Sequence, residues 1–375
     1  MAGGGENSRV KTLRLKVDAN DLETAEAREV LERAAEILRR GGRVALPTET
    51  VYGLGANALD RAAVERIFAA KSRPAWDPVI VHVAPGTMLN GLVEEIPEAA
   101  RRLMEAFWPG PLTLLLKRTR AVPDAVTAGR PLVGVRMPAH PVALELIRRA
   151  GVPVAAPSAN RFGHVSPTTA EHVLDDLDGR IDAVVEEVLG AGLGAGPTLH
   201  GVESTVLDPS TSPMTIYRPG AVTAEQIAEI AGPVEHFKSR EPLRETPREA
   251  MPSPGVGLKH YAPRARLVLV EAPGDEPDEK LGERLAAATS VERNERVGVM
   301  LPDGIMKPQE LERAQIYPWG RWDAPETLGH ELYAGLRALD AAGCTVILCP
   351  LPPAEGIGTA IRDRLLKAGT EGPRD

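Results

Sequence analysis

Arg43-Val44-Ala45-Leu46-Pro47-Thr48-Glu49-Thr50-Val51-Tyr52-Gly53-Leu54-Gly55 starts as a short apolar run and passes directly into hydroxyls, a carboxylate and two glycines. The run 43–47 reads as a strand, and the polar stretch behind it as a loop at the strand's C-terminal end, where α/β proteins place ligands. Thr48 and Thr50 alternate with Glu49, so both hydroxyls can face one side, and Gly53 and Gly55 allow close backbone approach. A plain turn with threonine caps fits the same spacing.

Outward from this stretch, amphipathic segments at 26–40 and 62–71 flank it with apolar residues at helical spacing. Strand-like runs follow at 79–83, 112–116, 132–136, 152–156, 183–187, 204–207 and 215–217. Helical patterns separate them at 98–107, 141–150, 169–175 and 224–230. The interleaving predicts an α/β layer structure, and the uneven strand spacing favours a mixed sheet over a purely parallel one. Residues 238–251 are charged and proline-bearing without a sustained apolar period, which predicts a surface linker. A second α/β unit has strands at 266–270, 297–301 and 345–349 and helices at 279–288, 327–341 and 357–367, the order of a small doubly wound domain. The expected division is a disordered tail and lead-in at 1–25, a first domain at 26–237, a linker or lid at 238–265 and a second domain at 266–375.

At 375 residues the chain is long for one core and ample for two domains. A formal net charge of −8 and an aromatic share of 3% argue against a broad nucleic-acid or membrane surface. No apolar run approaches the roughly 20 residues of a membrane span. The Gly-rich start lacks a signal peptide's apolar centre, so a cytoplasmic location is expected. Cys344 and Cys349 supply neither a disulfide framework nor, without a nearby His pair, a zinc site. There is no Walker A loop, no zinc-binding His-Glu pair and no nucleophile elbow, and Gly190, Gly192, Gly194 and Gly196 read as a flexible loop. A small anionic ligand, bound without the common machinery, is the expectation that remains.

Polar residues recur where strands and helices end. Lys71 and Arg73 leave a helix just before Pro74 and could reach phosphates from one loop, or cap the helix against its dipole. His82, alone, reads more readily as a satisfied sheet histidine than as a ligand group. Arg136 lies inside an apolar strand pattern, and a buried guanidinium needs an anion, either an internal carboxylate or a ligand. Ser158 and Asn160 follow the run 152–156, Ser166 precedes Pro167, and Ser204 and Arg218 are candidate inward polar groups on later strands. Each has a structural reading, and their accumulation at strand ends favours a site.

The succession Pro47–Gly55 (PTETVYGLG), Lys71–Pro74 (KSRP), Val133–Pro138 (VGVRMP), Ala156–Asn160 (APSAN) and Glu203–Val206 (ESTV) resembles the threonylcarbamoyl-AMP synthase family. The linker Ser253–Pro263 (SPGVGLKHYAP) and the C-terminal runs LYAGLRALDAAG and GIGTAIRDRL look like its long form. The resemblance implies a twisted mixed-sheet YrdC-like domain followed by a smaller Rossmann-like one. It implies a nucleotidyltransferase that joins L-threonine, bicarbonate or CO2 and ATP into threonylcarbamoyl-adenylate, releasing pyrophosphate, for tRNA modification. Carried over by position, Thr50, His82, Arg136 and Ser204 would form the threonine site, with Arg136 on the amino acid's carboxylate. Lys71, Arg73, Asp77, Ser158, Asn160, Ser166, Arg218 and Ser253 would hold ATP, with Lys71 and Arg73 nearest the phosphates and catalytic. Mg2+ is expected on the phosphates, with no protein ligand named. Lys259, His260 and Tyr261 would form a lid, reached through Pro254, Gly255 and Gly257.

Two departures from the family pattern stand out. Asp77 occupies a place where the family often has Asn, which would bring a negative charge near phosphates unless it turns away. Val256, Gly257 and Leu258 lack the basic and aromatic residues usual in the middle of this linker. Downstream, the resemblance implies hand-off to tRNA threonylcarbamoyl-transferase proteins, with direct tRNA binding weak or absent. The competing readings are a regulator that binds ATP and threonine without turnover, and a double-stranded RNA or tRNA module, which the acidic balance disfavours. Carbamoyl-transfer enzymes of hydrogenase maturation share a related domain, but this chain lacks the cysteines and length for their further modules.

Overall fold

The computed structural model describes residues 11–86, 88–189, 193–194, 198–238, 250–256, 261–272, 278–291, 295–305 and 309–369. Strand Val44–Leu46 does follow from the opening run, but Gly53–Asn57 is a strand too, turned back antiparallel on it. Glycine makes this possible: a Cβ on Gly55 would come within 2.8 Å of Val154 Cγ1 and 2.9 Å of Leu46 Cδ2. The stretch Pro47–Tyr52 is therefore the bend of a hairpin packed deep in the fold, not a loop on its rim.

Around that hairpin runs a mixed sheet of twelve strands among the described residues. Its order is Leu13–Asp18, Ala183–Leu189, Val44–Leu46, Gly53–Asn57, Val154–Ala155, Ile80–His82, Leu132–Arg136, Leu112–Lys117, Thr205–Asp208, Met214–Arg218 and Val234–His236, with Leu193–Gly194 beside Ala183–Leu189. Side chains alternate between two cores as strand geometry requires. Val44 and Leu46 pack with helices Ala25–Arg39 and Pro141–Ala150 on one face. Ala45 and Leu54 pack towards helices Arg61–Lys71 and Glu98–Phe107 on the other. Helix Ala25–Arg39 shows why these segments coil: Leu31, Ala34, Ala35 and Leu38 make one buried stripe, and Thr24 accepts from the Ala27 N–H at the N-terminus. The lead-in differs from expectation, since Leu13–Asp18 pairs in parallel with Ala183–Leu189 instead of lying loose; residues 1–10 fall outside the described ones.

The second unit is a four-stranded parallel sheet in the order Arg266–Glu271, Val346–Leu351, Val297–Asp303, Gln315–Arg321. Helices Asp278–Val291, Pro325–Ala341 and Ile357–Ala368 cover it, the Rossmann-like arrangement expected. Its apolar core runs without a break into the first domain: Val51, Val165 and Val202 belong to the same buried cluster as Leu332, Tyr333 and Ile361. No helix among the described residues is long and apolar enough to cross a membrane.

Candidate active site

The hairpin bend, the ends of several strands and the segment 250–256 enclose one cleft, with an empty volume of ≈ 660 Å³ including its open mouth. Thr48, Thr50, Arg73, His82, Arg136, Ser158, Asn160, His164, Glu203, Ser204 and Arg218 line it, with Pro254, Gly255 and Tyr261 from the linker side. Of the residues expected to bind ligand, Thr50, His82, Arg136, Ser204, Arg73, Ser158, Asn160, Arg218 and Tyr261 meet here. Lys71, Asp77, Ser166 and Ser253 do not. Lys259 and His260 lie outside the described residues.

At one end, parallel strands Ile80–His82 and Leu132–Arg136 bring His82 and Arg136 into register. Arg136 is the buried guanidinium that needs an anion, and its partner is internal: Nη2 lies 2.6 Å from Glu49 Oε1. Nη1 donates to Thr50 Oγ1 at 2.9 Å and Nε to the Gly110 carbonyl at 3.2 Å. Thr48 donates its single hydroxyl hydrogen to the Val51 carbonyl at 2.6 Å, so Thr50 must donate onto Thr48 across 2.9 Å. The chain fixes Thr50 as acceptor from Arg136.

This end is charge-balanced but short of hydrogen bonds. The close Glu49 contact occupies Arg136 Nη2, and His82 Nδ1 is buried without a hydrogen-bond partner among the described residues. Burial pushes the Glu49 carboxyl up, but the charge and approach of Arg136 outweigh it, and the net displacement is downward. Burial first, and the Arg136 charge second, push His82 down to about 3, so its ring is neutral near pH 7. Sequence reasoning did not assign Glu49 a role. A carboxylate between two inward-facing threonines was the available signal.

At the other end, helix Arg61–Lys71 stops at Ser72, which takes a left-handed conformation (φ 54°) and turns Arg73 into the cleft. Arg73 Nη2 contacts Asp77 Oδ2 at 2.9 Å and donates to the Pro78 carbonyl at 2.8 Å. Asp77 is wholly buried against this guanidinium and does not line the cleft, so its charge is turned away from the space where phosphates would lie. Lys71 also departs from expectation. The residue is 1% exposed, and its ammonium donates to the Ser158 and Asn160 carbonyls, each at 2.5 Å, from behind the loop. Burial, then the charge of Arg73, pushes its pKa well down. In this structure Lys71 fixes the loop that carries Ser158 and Asn160 and does not face the cleft.

Arg218 donates through Nε and Nη2 to the Ser204 carbonyl at 3.1 and 2.9 Å, and through Nη2 to Ser204 Oγ at 3.1 Å. Gly255 (φ +77°) lies on it, where a Cβ would come within 2.7 Å of Arg218 Cδ and 3.2 Å of the Tyr261 hydroxyl. Only glycine lets the linker pack this closely. Ser166 stands behind the wall, donating to Glu203 Oε1 at 2.7 Å, and Ser253 Oγ donates to the Pro254 carbonyl at 3.3 Å. Glu203, which the sequence reading passed over inside ESTV, also accepts from Tyr333 and Arg364 of the second domain at 2.9 and 2.7 Å. Its burial would raise the carboxyl pKa, but Arg364 and Arg218 bring it down to about 2.

Two family models divide the chain between them. One, described as telomere recombination and covering Sua5, YciO and YrdC proteins, matches residues 36–220. The other, described as the C-terminal domain of threonylcarbamoyl-AMP synthase, matches residues 222–370. The threonylcarbamoyl-AMP synthase of Pyrococcus abyssi is 41% identical over 340 residues, covering 89% of this chain and 92% of that protein. That of Bacillus subtilis is 41% identical over 367 residues, covering 96% and 98%. A crystal structure of P. abyssi Sua5 complexed with L-threonine has a TM-score of 0.80 at 38% identity, covering 96% of this chain and 97% of that one. With both domains matched in order and relatives aligned over nearly its full length, the chain belongs to the threonylcarbamoyl-AMP synthase family.

Proposed function

We propose that the chain makes L-threonylcarbamoyladenylate from L-threonine, bicarbonate or CO2 and ATP, releasing pyrophosphate. The product is the activated intermediate for threonylcarbamoyladenosine next to the anticodon of tRNA. The observation that carries this reading is the two-ended cleft. At one end His82 Nδ1 is buried without a hydrogen-bond partner among the described residues, beside the Arg136–Glu49 ion pair, and Arg73 and Arg218 stand at the other. An amino acid's carboxylate suits the first end, where the Arg136 guanidinium lies against Glu49 and Thr50 and His82 adds a neutral ring, with the Ser204 hydroxyl reached from the Arg218 side. The phosphates of ATP suit the second, with Arg73, Ser158, Asn160 and Arg218 around them and Lys71 bracing the loop from behind.

The chemistry asks little covalent work of the protein. Threonine's neutral amine adds to CO2, giving a carbamate and releasing a proton. A carbamate oxygen then attacks the α-phosphorus of ATP in line, and the bond to the β-phosphate's bridging oxygen breaks as pyrophosphate leaves. No covalent enzyme intermediate is required. Positioning and charge stabilisation suffice, and the guanidiniums of Arg73 and Arg218 are placed to supply both. Carbamates and mixed anhydrides hydrolyse in water, so Pro254, Gly255 and Tyr261, which line the cleft from the linker side, would serve as a lid.

Mg2+ would accompany the nucleotide and neutralise the departing pyrophosphate. The described residues contain no group of three or more His, Cys, Asp or Glu able to hold an ion. Downstream, proteins that transfer the threonylcarbamoyl group to tRNA would receive the product.

Pyrophosphate release from ATP tests the reaction. Release is expected with L-threonine and bicarbonate together and not when either is omitted. Binding of ATP and threonine without release would instead favour the regulatory reading, and release indifferent to threonine would overturn the proposal.

A further inference from the structure

We propose that Arg364 and Lys367 of the second domain are positioning residues for ATP, acting on the nucleotide end of the cleft from outside it. They stand three apart on helix Ile357–Ala368, the spacing that puts two side chains on one face. Neither lines the cleft, yet between them they hold three residues that do and the neighbour of a fourth. Arg364 donates through Nε to Glu203 at 2.7 Å and through Nη2 to the Pro219 carbonyl, next to Arg218, at 2.9 Å. Its guanidinium lies 5.2 Å from the centroid of the Tyr261 ring, over its face, and Tyr261 stacks in turn on Tyr333 with centroids 5.8 Å apart. Lys367 donates to the Gly255 carbonyl at 2.8 Å, on the linker residue that packs against Arg218. Asp363 fixes both cations, at 2.5 Å from Arg364 Nη1 and 2.9 Å from Lys367 Nζ.

Plain domain glue would be met by the apolar contact of Val51, Val165 and Val202 with the second core. Polar contacts elsewhere in the interface hold other ground: Arg337 donates to the Val165 carbonyl and pairs with Asp176, and a His330 ring nitrogen lies 3.1 Å from the Leu199 carbonyl. Those of Arg364 and Lys367 fall on Glu203, Pro219, Gly255 and Tyr261, three of which line the cleft while Pro219 follows Arg218, which also lines it. Arg364 is 1% exposed in its side chain, so its charge is committed to these partners and not shared with solvent. The second domain thereby sets where Arg218 and the linker stand when ATP arrives. The inference rests on the nucleotide lying at the Arg218 end.

The test measures KM for ATP and for L-threonine by pyrophosphate release in Lys367→Met, Arg364→Lys and Arg218→Ala. Removal of one charge-assisted hydrogen bond is expected to raise the ATP KM roughly tenfold. The threonine KM should stay within about twofold of the parent in Lys367→Met and Arg364→Lys. Lys367→Met leaves the Glu203 cluster intact, so it decides the matter even if Arg364→Lys folds poorly. An ATP KM that is unchanged in Lys367→Met, or equal increases for both substrates, would overturn the inference. If Arg218→Ala also left the ATP KM unchanged, the placement of the nucleotide would be at fault; if Arg218→Ala alone raised it, only the role of the second domain would fall.

Discussion

Arg136→Ala is expected to raise the threonine KM by roughly a hundredfold or more, the scale for truncating one side of a buried charge pair. The same change should cost about 3–5 kcal/mol of stability, because Glu49, 4% exposed and 2.6 Å from the guanidinium, would be left as a buried charge without its partner. The two effects can be separated. In Arg136→Met combined with Glu49→Gln the orphaned charge is gone, so stability in urea should largely return, while threonine-dependent turnover should not. Recovery of turnover in the double variant would mean that Arg136 serves the fold and not the amino acid.

Glu203→Gln is the second large effect, a loss of about 3–5 kcal/mol in denaturant unfolding. The substitution keeps the shape but removes the charge on which Ser166, Tyr333 and Arg364 converge. Its pH dependence has a definite sign. The carboxyl is lowered from the ordinary 4.5 to about 2, so between those values the unfolded chain binds more protons than the folded one. The stabilisation is therefore complete above about pH 4.5 and is lost as pH falls towards 2, about 3 kcal/mol in all. His82, held down at about 3 from 6.5, acts in the same direction at higher pH, since acid must charge a ring that the fold keeps neutral. Urea titrations of the parent and Glu203→Gln from pH 7 to pH 3 should converge as the pH drops. Parallel curves would contradict the charge-pair account.

Most of the architecture was legible because interior strands and amphipathic helices announce themselves. Leu132–Arg136, Glu98–Phe107 and Pro141–Ala150 fall where the pattern puts them. Three strands that the pattern did not mark, Leu13–Asp18, Val234–His236 and Gln315–Arg321, are sheet edges. An edge strand pairs on one side only and needs less apolar content. Gln315–Arg321 even tolerates Pro318, which counts against a strand elsewhere in a sheet. Gly53–Asn57 was hidden for the opposite reason: it is interior, and its glycines, which look like loop residues, let it pack against Leu46 and Val154.

The candidate site divides in the same way. Polar residues at strand ends, such as Arg136, Ser158 and Arg218, could be picked out because the sequence surrounds them with apolar neighbours. What could not be read was direction. Lys71 and Arg73 are two apart, and the left-handed Ser72 between them sends one onto the back of a loop and the other into the cleft. The partners of Glu203 were equally hidden, since Tyr333 and Arg364 lie 130 and 161 residues further along the chain.

The account depends on one cleft receiving an amino acid and a nucleotide side by side, and calorimetry tests that directly. L-threonine titrated into the protein already saturated with α,β-methylene-ATP and magnesium should bind one-to-one, at least as tightly as without nucleotide. Competition between the two, with threonine binding lost as the analogue fills the cleft, would contradict it.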